Sequence, residues 1–458
     1  MITSFSARSP IYIMKLLRLL ALLLFSPCMS LAQNQPEAPV VTDALIQRAE
    51  TGEAEAQWLL GECYRLGNGV AQNWETAVYW YEKSAAQQYV PAVHSLSMCL
   101  GDGLGVKRDV PRAMELARFG AEKGYVKSKI ALAAYYAESD MESDKQKAYE
   151  IFSELAEQGE SHAMRNLGVC YRDGIGVQKD MAQASLWLTK AAEAGEATAQ
   201  VWLALEYKTG TNVPKDMQKT LFWLTKAAEQ GNAEAQYFLG AVYTGNDGVA
   251  KNEKETLKWW TLAANQGHVE AMAALVCVAW NMKDYDLCVK YATMAAAIGN
   301  EIGQFFMFRC YVLGLGIEKN LEKAEKLAES IAQTRNPKMI ADIAAVYYQS
   351  KNYECALKWA KKTIEYGDIT GSGYLIVGLT YSNGLAGCEC DYVMATVAFQ
   401  RSANCGNAQA LYALALMYAN GCGVEKNQEL AHKLMTEAAD KGDTAASEWL
   451  IKHFRISE

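Results

Sequence analysis

The sequence predicts an all-α solenoid of about eleven helix pairs, because one pattern of about 36 residues recurs along most of the chain. The pattern is clearest in Ala233–Gly267. An apolar stripe at helical spacing marks its first helix, which we name helix A: Ala235, Leu239, Gly240 and Tyr243. A glycine-containing turn and a second amphipathic helix, helix B, follow. Two helices of this size cannot bury their apolar faces alone, so the pattern requires neighbouring copies.

Residues 1–32 have the composition of a signal peptide. They carry three basic residues and no acidic one, and the apolar run Leu19–Phe25 leads to Ser30-Leu31-Ala32. That run is far shorter than a membrane span, so no integral span is expected. We expect cleavage after Ala32 and export, with the periplasm as the first choice. Translation from Met14 remains an alternative, and lipid attachment at Cys28 is a less favoured one.

The rest of the chain divides by composition. Loss of the three basic side chains of residues 1–32 would take the formal charge from −8 to −11, and a chain this acidic is a poor nucleic-acid binder. Residues 33–42 contain two prolines and no periodicity, which predicts a short disordered lead-in. The repeats occupy residues 43–443. Residues 444–458 begin another helix A and stop, as expected of a C-terminal capping helix.

Eleven segments align on the position of Gly240, which we number zero. The equivalent residues are Gly61, Ser97, Ala133, Gly168, Ala204, Gly240, Val276, Phe308, Ala344, Gly378 and Ala415. Three residues later, a tyrosine stands in nine of the eleven. The turn between the helices repeats as well, for example as Gly67-Asn68-Gly69-Val70. Because no strand precedes it and it recurs at one place, we interpret it as a turn and not as a phosphate-binding loop.

Helix B carries an aromatic residue at the expected helix contact, followed by paired alanines that allow the next helix to approach closely. The aromatic residues are Trp80, Trp187, Trp223, Trp259, Tyr291 and Trp359. A row of tryptophans is also compatible with a cofactor or sugar platform, but its strict repetition favours core packing. We therefore expect no cofactor, and no metal site is expected either.

The helix A motif A-x-A-Q-x-x-L-G-x-x-Y-x-x-G-x-G-V and the helix B motif K-A-x-x-W-x-x-K-A-A-x-x-G resemble the Sel1-like repeat, an α/α relative of the tetratricopeptide repeat. The resemblance extends from about Asp43 to Gly442 and implies a right-handed α/α superhelix of the bacterial secreted type. Repeats seven and nine depart from the motif. There, Lys283-Asp284-Tyr285 and Lys351-Asn352-Tyr353 replace the glycine turn and resemble the shorter tetratricopeptide turn.

Eleven cysteines would remain after cleavage, an odd number for a protein of an oxidising compartment. Four lie just before the repeat tyrosine or its equivalent and are expected to be small buried residues: Cys63, Cys99, Cys170 and Cys310. Cys388, Cys390 and Cys422 fall in the turns of repeats ten and eleven, so we predict a disulfide from Cys388 or Cys390 to Cys422. The regular cysteine pairs of the secreted cysteine-rich branch of the family do not occur in the sequence.

Catalytic motifs do not occur in the sequence. The five histidines form no HExxH motif, and there is neither a Gly-x-Ser-x-Gly elbow nor a P-loop lysine. We therefore expect a protein that is not an enzyme. Hydrolysis of the cell wall or of β-lactams, which the family resemblance brings to mind, is the less favoured alternative.

The resemblance to tetratricopeptide repeats implies a concave binding groove at positions −3, +1 and +4 of helix A. These positions do not repeat in this chain, and several carry Trp, Tyr, Phe and Arg, which are frequent at binding hot spots. Ordinary solvent exposure is the alternative explanation. The candidate partner-binding residues are Trp58, Arg65, Arg165, Arg172, Lys208, Tyr237, Trp280, Phe305, Tyr348 and Tyr412.

These observations predict an exported, monomeric scaffold or adaptor that binds an extended or helical segment of another protein. A periplasmic regulator or inhibitor of an envelope signalling or assembly system is the alternative. It differs from a scaffold only in what happens to the bound partner.

Expression of the whole sequence in a bacterium with an intact export pathway tests the signal peptide. We expect a soluble product whose intact mass begins at Gln33, because signal peptidase cuts after small residues. The matched variant Ala32→Arg should retain residues 1–32. A soluble, folded wild-type product that still contains Lys15–Phe25 would contradict the prediction.

Overall fold

A computed structural model describes residues 40–454, with side chains up to residue 452, and every regular element in this range is an α-helix, as predicted. The expected signal peptide, residues 33–39 of the lead-in and residues 455–458 of the expected cap lie outside this range. In chain order the helices are α1 (Asp43–Glu50), α2 (Ala54–Leu66), α3 (Trp74–Ala86), α4 (Val90–Asp102), α5 (Val110–Glu122), α6 (Val126–Ala137), α7 (Glu142–Glu157), α8 (Ser161–Asp173), α9 (Met181–Glu193), α10 (Ala197–Thr209), α11 (Met217–Glu229), α12 (Ala233–Val242), α13 (Glu253–Asn265), α14 (Val269–Met282), α15 (Tyr285–Ala297), α16 (Glu301–Leu313), α17 (Leu321–Ala332), α18 (Pro337–Gln349), α19 (Tyr353–Glu365), α20 (Ser372–Ser382), α21 (Tyr392–Asn404), α22 (Ala408–Asn420), α23 (Gln428–Asp440) and α24 (Thr444–Phe454).

The predicted helix pairs run from α2 and α3 to α22 and α23, with even-numbered helices as A and odd-numbered helices as B. The expected C-terminal helix is α24. One element differs from expectation, because the short helix α1 precedes the first A helix. The first repeat therefore begins at Ala54 and not at Asp43.

Backbone contacts divide the chain into two compact bodies, one up to Ala263 and one from Ala264 onward. The boundary lies within α13. In each body the apolar side chains of successive repeats merge into shared clusters, such as the one around Val201 and Leu224 in the N-terminal body and the one around Phe399 and Leu411 in the C-terminal body. This sharing explains why a single repeat does not suffice for folding.

The glutamine of the A-x-A-Q motif ties an A helix to the helix before it. The side-chain nitrogen of Gln200 donates to the carbonyl of Ala192 at 3.0 Å, and both groups are buried. That carbonyl belongs to the last turn of α9, where carbonyls lack partners within the helix. Gln57 makes the same bond, also at 3.0 Å, to Ala49 of α1. Helix α1 therefore takes the place of a B helix before the first repeat.

A small residue at position zero lets a large ring of helix B lie against helix A. A Cβ atom on Gly240 would lie 2.4 Å from the ring of Trp260, and one on Gly61 would lie 2.6 Å from the ring of Tyr81. Both distances are shorter than a van der Waals contact, so only glycine fits. Of the six aromatic residues that the sequence placed at the helix contact, Trp259, Tyr291 and Trp359 are buried as expected, whereas Trp80, Trp187 and Trp223 are partly exposed.

The second glycine of the turn contacts the preceding repeat. Gly176 has a φ of +65°, and a Cβ atom there would lie 2.1 Å from the carbonyl oxygen of Lys145 near the start of α7. Gly105, Gly316 and Gly423 meet the first turn of the preceding B helix in the same way. A side chain at these positions would adopt a strained backbone conformation and also overlap a neighbouring backbone.

Gly176→Ala tests this contact, with Gly248→Ala as the matched control. Both glycines have positive φ, +65° and +83°, so alanine should cost about 1 kcal/mol of unfolding free energy at either one. An added Cβ on Gly248 meets no atom within 4 Å. The Gly176 variant should therefore lose roughly 1–3 kcal/mol more, through overlap with the backbone. Urea unfolding measures the difference, and equal losses in the two variants would contradict a tight contact.

Candidate functional site

The exposed face of the A helices does not coincide with the positions expected from the sequence. Position −3 is buried in seven of the eleven repeats, whereas +1 is partly exposed in seven and +4 in eight. Arg165 and Phe305, both expected to line the groove, are only 6% and 8% exposed. Their position turns toward the neighbouring A helix, which covers it. We name the surface formed by positions +1, +4 and +5 of the A helices the A face.

In repeat one, a buried carboxylate holds two of the expected residues, Trp58 and Arg65, in place. Arg65 donates from Nε and Nη2 to Oε2 of Glu62 at 3.0 and 2.7 Å. The Tyr81 hydroxyl donates to Oε1 of Glu62 at 2.6 Å, and the Ser95 hydroxyl donates to the same oxygen at 3.3 Å. The indole nitrogen of Trp58 donates to Ser95 at 3.1 Å. One carboxylate thus joins α2, α3 and α4 and fixes the start of the A face.

Repeats four and five place an arginine against a tryptophan. The guanidinium of Arg172 lies 4.8 Å from the ring centroid of Trp202 and donates two hydrogen bonds to Asp173, at 2.9 and 2.7 Å. Arg165 pairs with the buried Glu196 at 3.7 Å. Sequence reasoning missed Trp202, whose indole nitrogen is buried without a hydrogen-bond partner among the described residues. The tryptophan occupies position −2, which the sequence did not single out.

Lys208 and Tyr237 complete the expected residues of the N-terminal body. Lys208 forms an ion pair with Asp247 at 2.8 Å. Tyr237 stacks on Trp260, with ring centroids 6.4 Å apart, and its carbonyl accepts a hydrogen bond from that indole at 2.9 Å. The expected basic lining of this body is therefore neutralised, because each of its four expected cations lies beside a carboxylate.

In the C-terminal body, Trp280 belongs to an aromatic cluster. Its ring centroid lies 5.4 Å from that of Tyr285 and 5.3 Å from that of Phe306. The guanidinium of Arg309 lies 3.8 Å from the centroid of Trp280. Phe305 packs beside Phe306, with centroids 5.8 Å apart. Arg309 occupies position +1 of repeat eight, but sequence reasoning did not select it.

Tyr348 and Tyr412 lie farther along the C-terminal body. Tyr348 packs edge-on against Tyr353, with centroids 5.3 Å apart. Tyr412 lines a cavity of about 460 Å³ between α20, α22 and the start of α24. Most of the lining is apolar and includes Leu379 and Leu416 at position +1. This cavity can take an apolar side chain presented to the A face.

The expected disulfide is not formed in this structure, because Cys388, Cys390 and Cys422 are free thiols. The four cysteines expected in the core are buried, as predicted: Cys63, Cys99, Cys170 and Cys310. A pair that the sequence did not suggest is in contact, since a hydrogen bond joins the thiols of Cys288 and Cys310. That hydrogen bond and burial raise the pKa of the Cys288 thiol.

The described residues were also compared with what a metal site, a titrating histidine and a membrane-spanning helix require. Among them, no group of three or more His, Cys, Asp or Glu side chains is arranged to hold a metal ion. Burial, with a smaller contribution from Lys127, lowers the pKa of His94 to about 3, so this histidine stays neutral in the core. Within residues 40–454, no helix combines the length and apolar character needed to cross a bilayer.

A family model described as the Sel1 repeat matches nine segments of the chain. The segments are residues 54–89, 90–125, 127–160, 161–196, 197–232, 233–268, 282–300, 302–333 and 408–443. The unmatched stretch 334–407 contains α18 to α21, which still form helix pairs. The structure therefore extends the repeat architecture beyond the part that the family model matches.

Two curated proteins match part of the chain. Chitin synthase regulatory factor 2 of Schizosaccharomyces pombe is 26% identical over 136 residues, which is 28% of this chain. DAP3-binding cell death enhancer 1 of Rattus norvegicus is 30% identical over 138 residues, which is 30% of this chain. Both alignments span only 27% of the relative. Among solved structures, a protective antigen present in uropathogenic Escherichia coli strains, with an SLR fold, is 26% identical, with 89% of both chains covered and a TM-score of 0.57.

Glu62→Ala tests the buried carboxylate, with the exposed Glu55→Ala in the same helix as the matched control. We expect the Glu62 variant to lose roughly 2–4 kcal/mol of unfolding free energy, because Arg65 and Tyr81 are left without their acceptor. The control should change by less than about 0.5 kcal/mol. Adding Tyr81→Phe to the Glu62 variant should cost little more than Glu62→Ala alone. Similar losses for the two glutamate variants in chemical denaturation would contradict this role.

Proposed function

Because the chain belongs to the Sel1 repeat family, we propose that it is an exported interaction scaffold that binds a segment of another protein along its A face. It is not an enzyme: its family consists of protein-interaction scaffolds, and the relatives that it matches are named as regulatory or binding factors. The relatives share only part of their length with this chain. Their partners are therefore not transferred to it.

One observation carries the proposal. The side chains at positions +1 and +4 differ from repeat to repeat and are partly exposed in seven and eight of the eleven repeats, respectively, whereas the core positions recur. Trp58, Tyr237 and Tyr412 border this face and are also partly exposed. Aromatic side chains that combine an apolar ring with a polar group are favoured at the centres of binding surfaces.

The outer side of the B helices is the competing surface, and it is less suited to a partner. Two of its exposed rings are covered by lysines of the same helix. The Nζ of Lys226 lies 4.6 Å from the ring centroid of Phe222, and the Nζ of Lys83 lies 4.5 Å from that of Tyr79. A partner would have to displace these lysines before it could use the rings.

Export and a monomeric state are part of the proposal. Export rests on the composition of residues 1–32, and action in the periplasm follows from it for a bacterial protein. A second candidate function is that of a regulator or inhibitor of an envelope signalling or assembly system. The name of the relative described as a regulatory factor favours this candidate.

Site-specific photo-crosslinking in the producing cell tests the binding surface. A photoreactive residue at Gln409, exposed on α22, should capture a defined protein, whereas the same residue at Gln218, exposed on the B helix α11, should not. The combined variant Trp58→Ala, Arg172→Ala, Tyr237→Ala and Tyr412→Ala should reduce capture at least about tenfold, because hot-spot side chains each contribute more than about 1 kcal/mol.

The matched control is the double variant Tyr79→Ala and Phe222→Ala, which removes two half-exposed rings of the B helices. It should leave capture unchanged. Circular dichroism must show that both variants keep the wild-type helical signal. Capture that survives the A-face changes, or that is lost in the B-helix control, would show that the partner binds elsewhere.

A further inference from the structure

Arg309 is unusual among the residues at position +1. Nine of the eleven residues at this position are uncharged, and the exceptions are Glu62 and Arg309. Glu62 is fully paired with Arg65 and hydrogen-bonded to two hydroxyls. The Nε of Arg309 is buried without a hydrogen-bond partner, and the guanidinium forms no ion pair with any described residue. The arginines expected from the sequence all have a carboxylate beside them.

The surroundings of Arg309 hold its guanidinium in place without neutralising it. The guanidinium carbon lies 3.8 Å from the ring centroid of Trp280, 5.3 Å from that of Phe306 and 5.8 Å from that of Phe305. Burial lowers the pKa of Arg309, and Coulombic attraction to Cys310 and then to Asp342 partly offsets this effect. Burial raises the pKa of the neighbouring Cys277 thiol, which is therefore neutral.

A partly buried cation without a bonded anion is unfavourable for folding. Stacking on a tryptophan covers one face of the guanidinium, and Nε is buried, so the edge formed by the two terminal nitrogens is the one left to donate two parallel hydrogen bonds. That edge matches the two oxygens of a carboxylate. The charge of Asp342, which acts on Arg309, repels a doubly charged phosphate more strongly than a singly charged carboxylate. The ligand that would complete the surroundings of Arg309 is thus one planar, singly charged anion.

We propose that Arg309 binds a carboxylate of the partner segment, supplied by an aspartate or glutamate with an apolar side chain beside it. The carboxylate accepts from the edge of the guanidinium, and the apolar side chain packs against the exposed part of Trp280. This proposal rests on the proposed function, because it assigns the chemistry of the segment that the A face binds. It places a specific anchor in the C-terminal body, where the sequence suggested only aromatic residues.

Short capped peptides test the carboxylate directly. The probes are acetyl-Gly-Leu-Asp-Leu-Gly-amide, its Asn isostere, and the Asn peptide with a free C-terminal carboxylate. Binding to the full chain is followed through the Nε–Hε signals of arginine in ¹⁵N–¹H NMR spectra, with the Arg309 signal assigned by its loss in Arg309→Lys. We expect the Asp peptide to shift the Arg309 signal in a saturable way and the Asn amide to bind at least tenfold more weakly.

The outcomes of this titration are distinct. A saturable shift caused only by the free C-terminal carboxylate would replace the acidic side chain by a chain terminus and overturn the proposal as stated. Equal effects of the Asp and Asn amides would overturn the role of charge. The absence of any shift at peptide concentrations up to about 10 mM would also overturn the proposal, because binding with a millimolar Kd is detectable at these concentrations. Arg401→Gln, which removes another arginine near an aromatic ring in the same body, should leave the titration unchanged.

Substitution of the arginine separates binding from folding. Arg309→Met should abolish the peptide response while the melting temperature stays equal or rises, because the change removes an unpaired charge and keeps an apolar side chain. Arg309→Lys keeps the charge but lacks the planar edge, and it should weaken binding at least tenfold. A clear fall in the melting temperature of Arg309→Met would show that the stack on Trp280 serves the fold, and would contradict the proposal.

The cellular capture experiment distinguishes this proposal from the function on which it rests. If Arg309→Met alone reduces capture at least tenfold, both stand. We call the combined variant Trp58→Ala, Arg172→Ala, Tyr237→Ala and Tyr412→Ala the A-face variant. If the A-face variant loses capture but Arg309→Met does not, the scaffold function stands and the carboxylate anchor is wrong. If the A-face variant keeps capture while the Asp peptide still shifts the Arg309 signal and the Asn amide does not, the anchor chemistry stands and the proposed partner surface is wrong.

Discussion

The whole repeat depends on how closely helix A approaches helix B at position zero. Where that residue is glycine, helix B supplies a large side chain, such as Trp260 opposite Gly240 or Leu188 opposite Gly168. Where it is serine, a hydrogen bond takes over, since the Ser97 hydroxyl donates to the carbonyl of Ala113 at 2.8 Å. Protein interiors tolerate neither voids nor overlaps, so the two sides of this contact must be complementary in volume. The contact fixes each helix pair and thereby the spacing of the side chains on the A face.

Most of the fold could be predicted from the sequence because each recurring contact uses its own residue type. Glycine marks the close approaches, and glutamine marks the bond to the preceding helix. The turns of repeats seven and nine, which lack the glycine loop, also differ in the way that the sequence indicates. There, Lys283 and Lys351 take φ values of +60° and +62°. Helix α1 was missed because its eight residues form only the second half of a repeat, without the motif of a helix A before it.

The candidate site was less predictable, for two physical reasons. Periodicity gives the angle of a residue around its helix, but it does not show which flank the neighbouring helix covers, so Arg165 and Phe305 were expected at the surface and are buried. Ion pairing also depends on the folded structure. Lys208 looks like a free cation in the sequence, yet Asp247 lies 2.8 Å away. The signal for Arg309 was present in the alignment of position +1, where charge is rare, but its lack of a partner becomes evident only from the fold.

The second glycine of the turn also affects how strongly each repeat is coupled to the repeat before it. Gly105, Gly176, Gly316 and Gly423 each lock their repeat onto the start of the preceding B helix. Repeats three, five, seven, nine and ten have no glycine at this place, and a Cβ atom added to Gly248 of repeat six meets no atom within 4 Å, so these repeats lack this contact. In a linear array each boundary contributes its own coupling energy, and boundaries of unequal strength break in order of that strength. Under mechanical tension, the chain should therefore yield first at the boundaries that precede repeats without this contact, and the pairs of repeats that are joined by it should separate later.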